Sequence, residues 1–347
     1  MPSTTRGRRP TQADVARLAE VSQPVVSYVL SGDPEAQVAP ETRRRVLAAI
    51  EQLGYVPDRA ARSLRRGRTS TIAAVLPDIT NPFYPAFERG LQDAAEAHGY
   101  DLISYNTDGE SAKELAAIRS ARGLRVDGLV ITPFHVDPDA LATLAQEGVA
   151  VVVNGEPAWD AGARGLDQVF VDNVAAAAAA VDHLIDRGHT RIGMLAGPAG
   201  TPPRENRVRG YLRALAAHHL PLDPVVVRST EVSVDYTVEG GHEATSALLR
   251  LDPRPTAIFA ANDLMAMGAL IRLREAGIDV PGQMAVVGFD DIPAARLVHP
   301  ALTTVAQHPE RIGRRCAQLI VERLAGPPGA PPRREGLPFD LVVRDSA

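Results

Sequence analysis

The sequence predicts a small all-α head followed by an α/β body of two doubly wound parallel-sheet subdomains. Three observations predict it. Residues 10–56 carry apolar side chains at helical spacing, without strand-like alternation. From residue 70 onward, short β-branched runs alternate with amphipathic stretches, the pattern of parallel strands covered by helices. Roughly ten such runs over 69–347 fit two smaller sheets better than one.

The head reads as three helices. Asp14-Val15-Ala16-Arg17-Leu18-Ala19 is a short amphipathic segment. Val21-Ser22-Gln23 is a turn with Ser22 as N-cap, and Val25, Val26, Val29 and Leu30 stripe the helix that follows. Ser31-Gly32-Asp33-Pro34 ends it. Pro40-Glu41-Thr42 opens a third helix with Val46, Leu47, Ile50 and Leu53 on one face and Gly54 as its stop. Within 12–31, Ala16 sits mid first helix, Val21 lies in the turn, and Val26 and Val29 form the underside of the second helix. That is the helix-turn-helix pattern, whose second helix enters the DNA major groove. A generic helical hairpin packed on the body gives similar spacing.

Charge separates the two readings. The whole chain carries −5, which taken alone argues against nucleic acid. Residues 1–68 hold 12 Arg against 7 acidic residues, a net of +5, and residues 69–347 carry −10. A basic head on an acidic body favours phosphate contact at one end. Residues 57–68 hold five Arg in twelve positions and few apolar side chains. They read as a linker with helical potential, since an isolated helix this short is marginal in water.

The body's strands are expected at 72–76, 102–105, 128–131, 149–153, 169–171, 191–195, 225–227, 257–260 and 284–288. Its helices include 85–98, 111–122, 174–187, 207–218, 238–250 and 263–276. The alanine run 175–180 fits plain helix packing.

Several functions are excluded. Cys316 is the only cysteine, so no intrachain disulfide and no Cys-based zinc site is possible. Lys113 is the only lysine and follows Ala112, so no Walker A end exists. No GxGxxG, GxSxG, HExxH or CxxC pattern occurs, and no catalytic group, cofactor or metal is expected. Gly193, Gly197 and Gly200 have the wrong spacing for a dinucleotide loop. Asp290-Asp291 on an extended strand end would point to opposite sides, a poor acid/base pair. No apolar run approaches membrane-spanning length, and the basic N-terminus lacks an apolar core behind it. A cytoplasmic protein is expected.

The order of motifs resembles the lactose/galactose/purine repressor family (LacI/GalR type) of bacterial transcriptional regulators. In the head the resemblance rests on Asp14-Val15-Ala16, Val21-Ser22-Gln23, Val26-Ser27, Val38-Ala39-Pro40-Glu41-Thr42-Arg43, Leu53-Gly54-Tyr55-Val56-Pro57 and Ala60-Ala61-Arg62-Ser63-Leu64. In the body it rests on Asn81-Pro82-Phe83-Tyr84, Asp172-Asn173, Gly188-His189-Thr190-Arg191-Ile192, Ala196-Gly197-Pro198, Arg207 to Tyr211, Ala261-Asn262-Asp263, Val287 to Asp291 and Pro300 to Thr304. It covers residues 10–345.

That resemblance implies an allosteric repressor of double-stranded DNA with a pseudo-palindromic operator. Gln23, Pro24 and Tyr28 would hold the base-reading positions. Gln23 can pair bidentately with adenine, whereas Pro24 cannot donate and departs from the polar residues of many relatives. Ser22 and Ser27 would cap the helix and touch phosphates. The linker would fold as a hinge helix on the operator, with Leu64 wedged into the minor groove and Arg62 and Arg65 near the backbone. Alternatively, Leu64 is a lone linker side chain.

The implied body is a periplasmic-binding-protein-like sensor. Phe83 and Tyr84 would wall the cleft, and Asn173, Arg207, Tyr236, Asn262 and Asp290 would grip a small effector, a sugar. A nucleobase or nucleoside is the alternative, as is a sugar-binding protein without DNA function. Arg207 also fits a surface helix and Tyr236 the core, while Trp159 fits a surface or domain edge and a ligand stack equally. Asn262 is expected on the ligand and Asp263 as the helix N-cap. Thr201-Pro202-Pro203 departs from polar positions of the family.

The expected boundaries are 10–56 for the DNA-binding domain, 57–68 for the hinge and 69–347 for the ligand-binding and dimerisation domain. Within the last, one subdomain takes about 69–168 and 304–326, and the other about 169–303 and 327–347. No heptad tail follows the strand that begins at Asp340, so a homodimer is expected.

Overall fold

The computed structural model describes residues 10–31, 38–56, 68–221 and 234–347. The chain divides into two compact units, Met1–Thr69 and Ser70–Ala347.

In the first unit, α1 (Gln12–Leu18), α2 (Gln23–Ser31) and α3 (Pro40–Leu53) pack around Val15, Ala16, Ala19, Val26, Val29, Val46 and Ala49. Thr11 and Asp14 start α1 with a reciprocal cap. The Thr11 backbone N–H and hydroxyl donate to Asp14 Oδ2 at 2.9 and 2.7 Å. The Thr11 hydroxyl, then its N–H, holds the Asp14 carboxyl at about 2. Pro40 at the first turn and Gly54 at φ +60° bracket α3, as the sequence predicts. Leu47 departs from the expected apolar face and is 50% exposed. Val46 and Ala49 take the core-facing positions beside it.

The second unit holds two sheets. The first has the order β10-β5-β4-β3-β1-β2 and the second β11-β9-β8-β7-β6. The strands are β1 (Thr71–Leu76), β2 (Asp101–Asn106), β3 (Gly128–Ile131), β4 (Ala150–Asn154), β5 (Asp167–Val171), β6 (Ile192–Leu195), β7 (Ala257–Ala260), β8 (Ala285–Asp290), β9 (Thr303–Ala306), β10 (Arg334–Leu337) and β11 (Asp340–Val342). Among the described residues, all pairings are parallel except β11 on β9, an antiparallel edge that departs from the all-parallel expectation. The expected strand 225–227 lies outside the described residues.

Helices cover both sheets: α4 (Phe83–Ala97), α5 (Ser111–Leu124), α6 (Pro138–Gln146), α7 (Asn173–Asp186), α8 (Pro202–Ala217), α9 (Val238–Leu248), α10 (Asp263–Glu275) and α11 (Pro309–Ala325). Helix α8 starts five residues before its expected onset, because Pro202 is tolerated where the N–H needs no helical partner. Helices α4 and α11 cross at two glycines. A Cβ on Gly90 would lie 1.9 Å from the Glu310 carbonyl oxygen, and one on Gly313 would lie 1.9 Å from that of Phe87.

The chain crosses between sheets three times, and the sequence expects these crossings near 168–171, 299–304 and 326–338. Strand β5 stays in the first sheet to Val171, β9 stays in the second to Ala306, and β10 still belongs to the first at Leu337. Arg323 and Arg333 both hold Asp167 beside the crossings, at 2.5 and 3.1 Å. Burial raises the Asp167 carboxyl, but hydrogen bonds from the two arginines outweigh it and hold it below the usual range. Among the described residues, no helix is long and apolar enough to cross a membrane.

Candidate functional site

In the head, the residues expected to meet DNA share an exposed surface. Gln23 and Pro24 form the first turn of α2, and Tyr28 follows one turn later, 47% exposed. Ser22 is exposed and its carbonyl accepts the Val25 and Val26 N–H groups, which puts it at the N-cap. Ser27 is half-buried. The opposite face of α2 buries Val26 and Val29. Arg62, Leu64 and Arg65 lie outside the described residues.

In the body, β1, β3, β4, β5, β7, β8 and β9 deliver their C-terminal ends to one crevice, where α/β sheets receive ligands. Phe83, Tyr84, Asn173, Arg207, Tyr236, Asn262 and Asp290 all line one cleft of about 870 Å³, its open mouth included. Phe83 and Tyr84 meet edge to face, centroids 5.2 Å apart, at the start of α4. Burial first, then the charge of Asp290, pushes the Tyr84 phenol up, so it stays a neutral donor.

Arg207 is 7% exposed, which removes the surface-helix alternative. Its Nε donates to Asn173 Oδ1 at 2.9 Å and its Nη1 to the Ala261 carbonyl at 2.5 Å. The guanidinium stacks 3.9 Å from the Phe289 ring centroid. Asp290 is 5% exposed, with Oδ1 accepting Gln307 Nε2 at 2.6 Å and standing 3.9 Å from Arg207 Nη2. Burial raises its carboxyl to about 6, against the opposing pull of Arg207 and Gln307.

Asp290 and Asp291 have φ of 117° and 53°, so this strand end is not extended as the sequence suggests. The two side chains still part: Asp291 turns to Arg344 at 2.6 Å.

Asn262, not Asp263 as expected, caps α10, while Asn262 keeps its expected place on the cleft. Asn262 is the N-cap of α10, with Oδ1 accepting the Met265 N–H at 2.9 Å and Nδ2 donating to the Tyr236 carbonyl at 3.1 Å. Asp263 is fully buried and accepts from Thr304 Oγ1 at 2.5 Å and the Ile292 N–H at 2.8 Å. Burial, then Asp290's charge, raises its carboxyl well above the usual range. Asn262 still faces the cleft with amide capacity left over.

Tyr236 joins both expected readings. It packs on the second sheet's core and lines the cleft, its hydroxyl 3.3 Å from Thr201 Oγ1.

The cleft also contains residues the sequence did not single out. Thr132, Asn154, Glu156, Asn206 and Gln307 follow strand ends or face α8's inner side. Asn154 Nδ2 donates to Thr132 Oγ1 at 2.9 Å, and Asn206 Nδ2 to the Glu156 carbonyl at 3.1 Å. Thr132, Asn154 and Gln307 share one signal, a polar residue at the end of a β-branched run. Phe134 is held by buried Glu114 of α5, whose carboxylate accepts the Phe134 and His135 N–H groups at 2.7 and 3.0 Å.

Comparison with known proteins agrees with this division. Residues 11–58 match the model of bacterial regulatory proteins, lacI family, and residues 181–347 match a periplasmic binding protein-like domain. The chain is 36% identical to the HTH-type transcriptional regulator CelR of Thermobifida fusca, over 98% of this chain and 99% of that one. It resembles the solved complex of the transcriptional regulator CelR with cellobiose at TM-score 0.73 and 34% identity, covering 98% of this chain and 100% of that one. It resembles the lac repressor dimer bound to operator and the anti-inducer ONPF at TM-score 0.85 and 25% identity, covering 98% and 99%.

Proposed function

The chain belongs to the lacI family of bacterial regulatory proteins, and on that premise we propose a homodimer whose affinity for operator DNA is set by a sugar bound in the cleft. It is a DNA-binding transcriptional regulator. Helix α2 reads base edges through Gln23, Pro24 and Tyr28, with Ser22 and Ser27 at the backbone. A two-fold dimer reads a pseudo-palindrome. The hinge at 57–68 orders on DNA with Leu64 as its wedge. A ligand that changes how the two subdomains close changes how two hinges meet the operator. Its work lies with the chromosome in the cytoplasm.

One observation carries the ligand assignment: the buried Arg207–Asp290 pair faces an open cleft beside Asn173, Asn262 and the Phe83–Tyr84 wall. Buried charges need partners. Sugar hydroxyls supply both donors and acceptors, while the C–H faces of the ring pack on the aromatic groups. The same groups bind and hold; we assign the cleft no catalytic step.

The test uses the full chain. Duplexes selected from a random pool are expected to converge on an inverted repeat, and an effective sugar to change affinity for it by roughly 10-fold or more, about 1.4 kcal/mol. Failure to enrich any sequence overturns the DNA assignment. Operator affinity indifferent to every sugar tried overturns the ligand assignment.

A further inference from the structure

We propose that Glu156 is a positioning residue that reaches across the cleft and fixes the spacing of its two walls before any ligand arrives. Glu156 follows β4 of the first sheet, yet it bonds to α7 and α8, which belong with the second. Its carboxylate Oε2 accepts the Asn173 N–H at 3.2 Å, and its carbonyl accepts Asn206 Nδ2 at 3.1 Å. One residue thus latches a loop of one subdomain to two helices of the other. These contacts hold whatever ligand the cleft takes.

Both ends of the latch are rigid. Gly155 donates its N–H to the Val169 carbonyl, and its own carbonyl accepts Gln168 Nε2, each at 2.8 Å, so the residue before Glu156 is bound to β5 twice. Opposite, Asn173 opens α7, where an N–H has no partner within the helix. Asp172 caps the Ala175 N–H at 2.8 Å, which leaves the Asn173 N–H to Glu156. A carboxylate also suits the positive end of a helix. Asn206 is 4% exposed and its Oδ1 accepts from Arg209, so its amide is held facing Glu156.

The latch sits where the chain changes sheets. Asn173 lies just past the first crossing, two residues after β5 ends. Arg334 of β10, just before the third, stacks 4.0 Å from the Phe170 ring centroid and stands 3.4 Å from Glu156 Oε1. Any change in how the subdomains close alters these distances. Through Asn173 the latch also reaches the cleft's buried charge pair, since Asn173 Oδ1 accepts Arg207 Nε. A wall already held in place leaves less freedom for a ligand to remove.

The experiment measures the cleft on the full chain with no ligand added. Gln146 of α6 and Glu243 of α9 are exposed, one in each subdomain, and take spin labels as Gln146→Cys and Glu243→Cys. Cys316 is buried and stays unlabelled. Labelled chain diluted into unlabelled chain gives one distance per molecule by pulsed electron paramagnetic resonance. A single narrow distance is expected with Glu156 intact. Glu156→Ala removes the carboxylate, and Asn206→Asp replaces the donor facing the Glu156 carbonyl with an acceptor. Each is expected to raise the ratio of altered to parent-like distances roughly 10-fold or more, the scale of one or two lost hydrogen bonds. Glu156→Gln keeps an oxygen for the Asn173 N–H and is expected to hold the parent's distance. Glu205→Ala is the control, since it loses bonds to the Gly200 N–H and Arg204 of its own subdomain.

Distances in Glu156→Ala and Asn206→Asp that match both the parent and the control overturn the latch. A control that shifts as far as either variant overturns it too, by reducing the effect to general loosening. Asn206→Asp carries the test if Glu156→Ala does not fold.

Discussion

Arg207 Nη2 and Asp290 Oδ1 stand 3.9 Å apart, while Gln307 Nε2 holds the same oxygen at 2.6 Å. The two charges attract without sharing a good hydrogen bond. The gap leaves the guanidinium edge and the carboxylate able to turn to a ligand hydroxyl. It also leaves Asp290 under-compensated for its burial, which is why its carboxyl rises to about 6.

That rise has a sign for stability. Asp290 titrates near 6 in the fold against a usual 3.8, so between those values the folded protein keeps a proton that the unfolded chain releases. The stability this lends is full below about 3.8 and lost as pH rises through 6. Asp290→Asn removes the cost and is expected to raise stability above pH 6 by up to roughly 3 kcal/mol, with little difference below pH 4. Thermal melts across pH check it; an unchanged difference at all pH values overturns it. Sugar affinity runs the opposite way: it should weaken below pH 6 in the parent and be weak throughout in the variant, as calorimetry would read.

Removing the other partner has the harsher outcome. Arg207→Met deletes bonds to Asn173 and the Ala261 carbonyl, deletes the stacking on Phe289, and strands a buried carboxylate. A loss of about 3–5 kcal/mol is expected. Adding Asp290→Asn to it should recover part of that loss in denaturant melts. If the double variant is as unstable as the sum of both singles predicts, the two groups are not coupled.

How much of this was legible in the residues themselves depends on the kind of signal. Val26 and Val29 announce the buried face of α2 by period, and the exposed Gln23, Pro24 and Tyr28 follow as its complement. Arg207 and Asp290 carry a motif, so they could be placed before any geometry. The cap was placed on Asp263 instead of Asn262, because both are good N-caps and adjacent. Burial decides, since only Asp263 has Thr304 and the Ile292 N–H to satisfy a charge inside the core. Strand β10 was not expected for a similar reason. Arg334 to Leu337 reads as polar linker, and only pairing with β5 makes it a strand. Glu156 and Asn206 belong to no motif; their meaning comes from facing each other across the cleft.

Base reading by α2 gives a clean prediction because its side chains are outside the core. Gln23 is exposed, so Gln23→Ala should leave the melting temperature unchanged. It should cost about 1–3 kcal/mol on the selected operator and relax preference at one base position per half-site. Repeating the random-duplex selection with the variant checks this. An identical consensus would remove Gln23 from the reading surface.

The proposed wedge is separable from simple charge attraction. Leu64 is apolar and adds nothing to phosphate neutralisation, whereas on the proposed reading Arg62 and Arg65 beside it contribute through counterion release. Leu64→Ala is therefore expected to weaken the selected operator by roughly 10-fold or more, a few kcal/mol at most, because the unstacked step loses its filler. Binding to random-sequence duplex should change little, and the slope of affinity against salt should stay the same. Arg62→Ala should do the reverse, lowering both kinds of binding and flattening the salt slope by about one charge. Fluorescence anisotropy with the two duplexes over a salt series measures all four quantities. Equal losses on both duplexes for Leu64→Ala would reduce it to an ordinary linker residue.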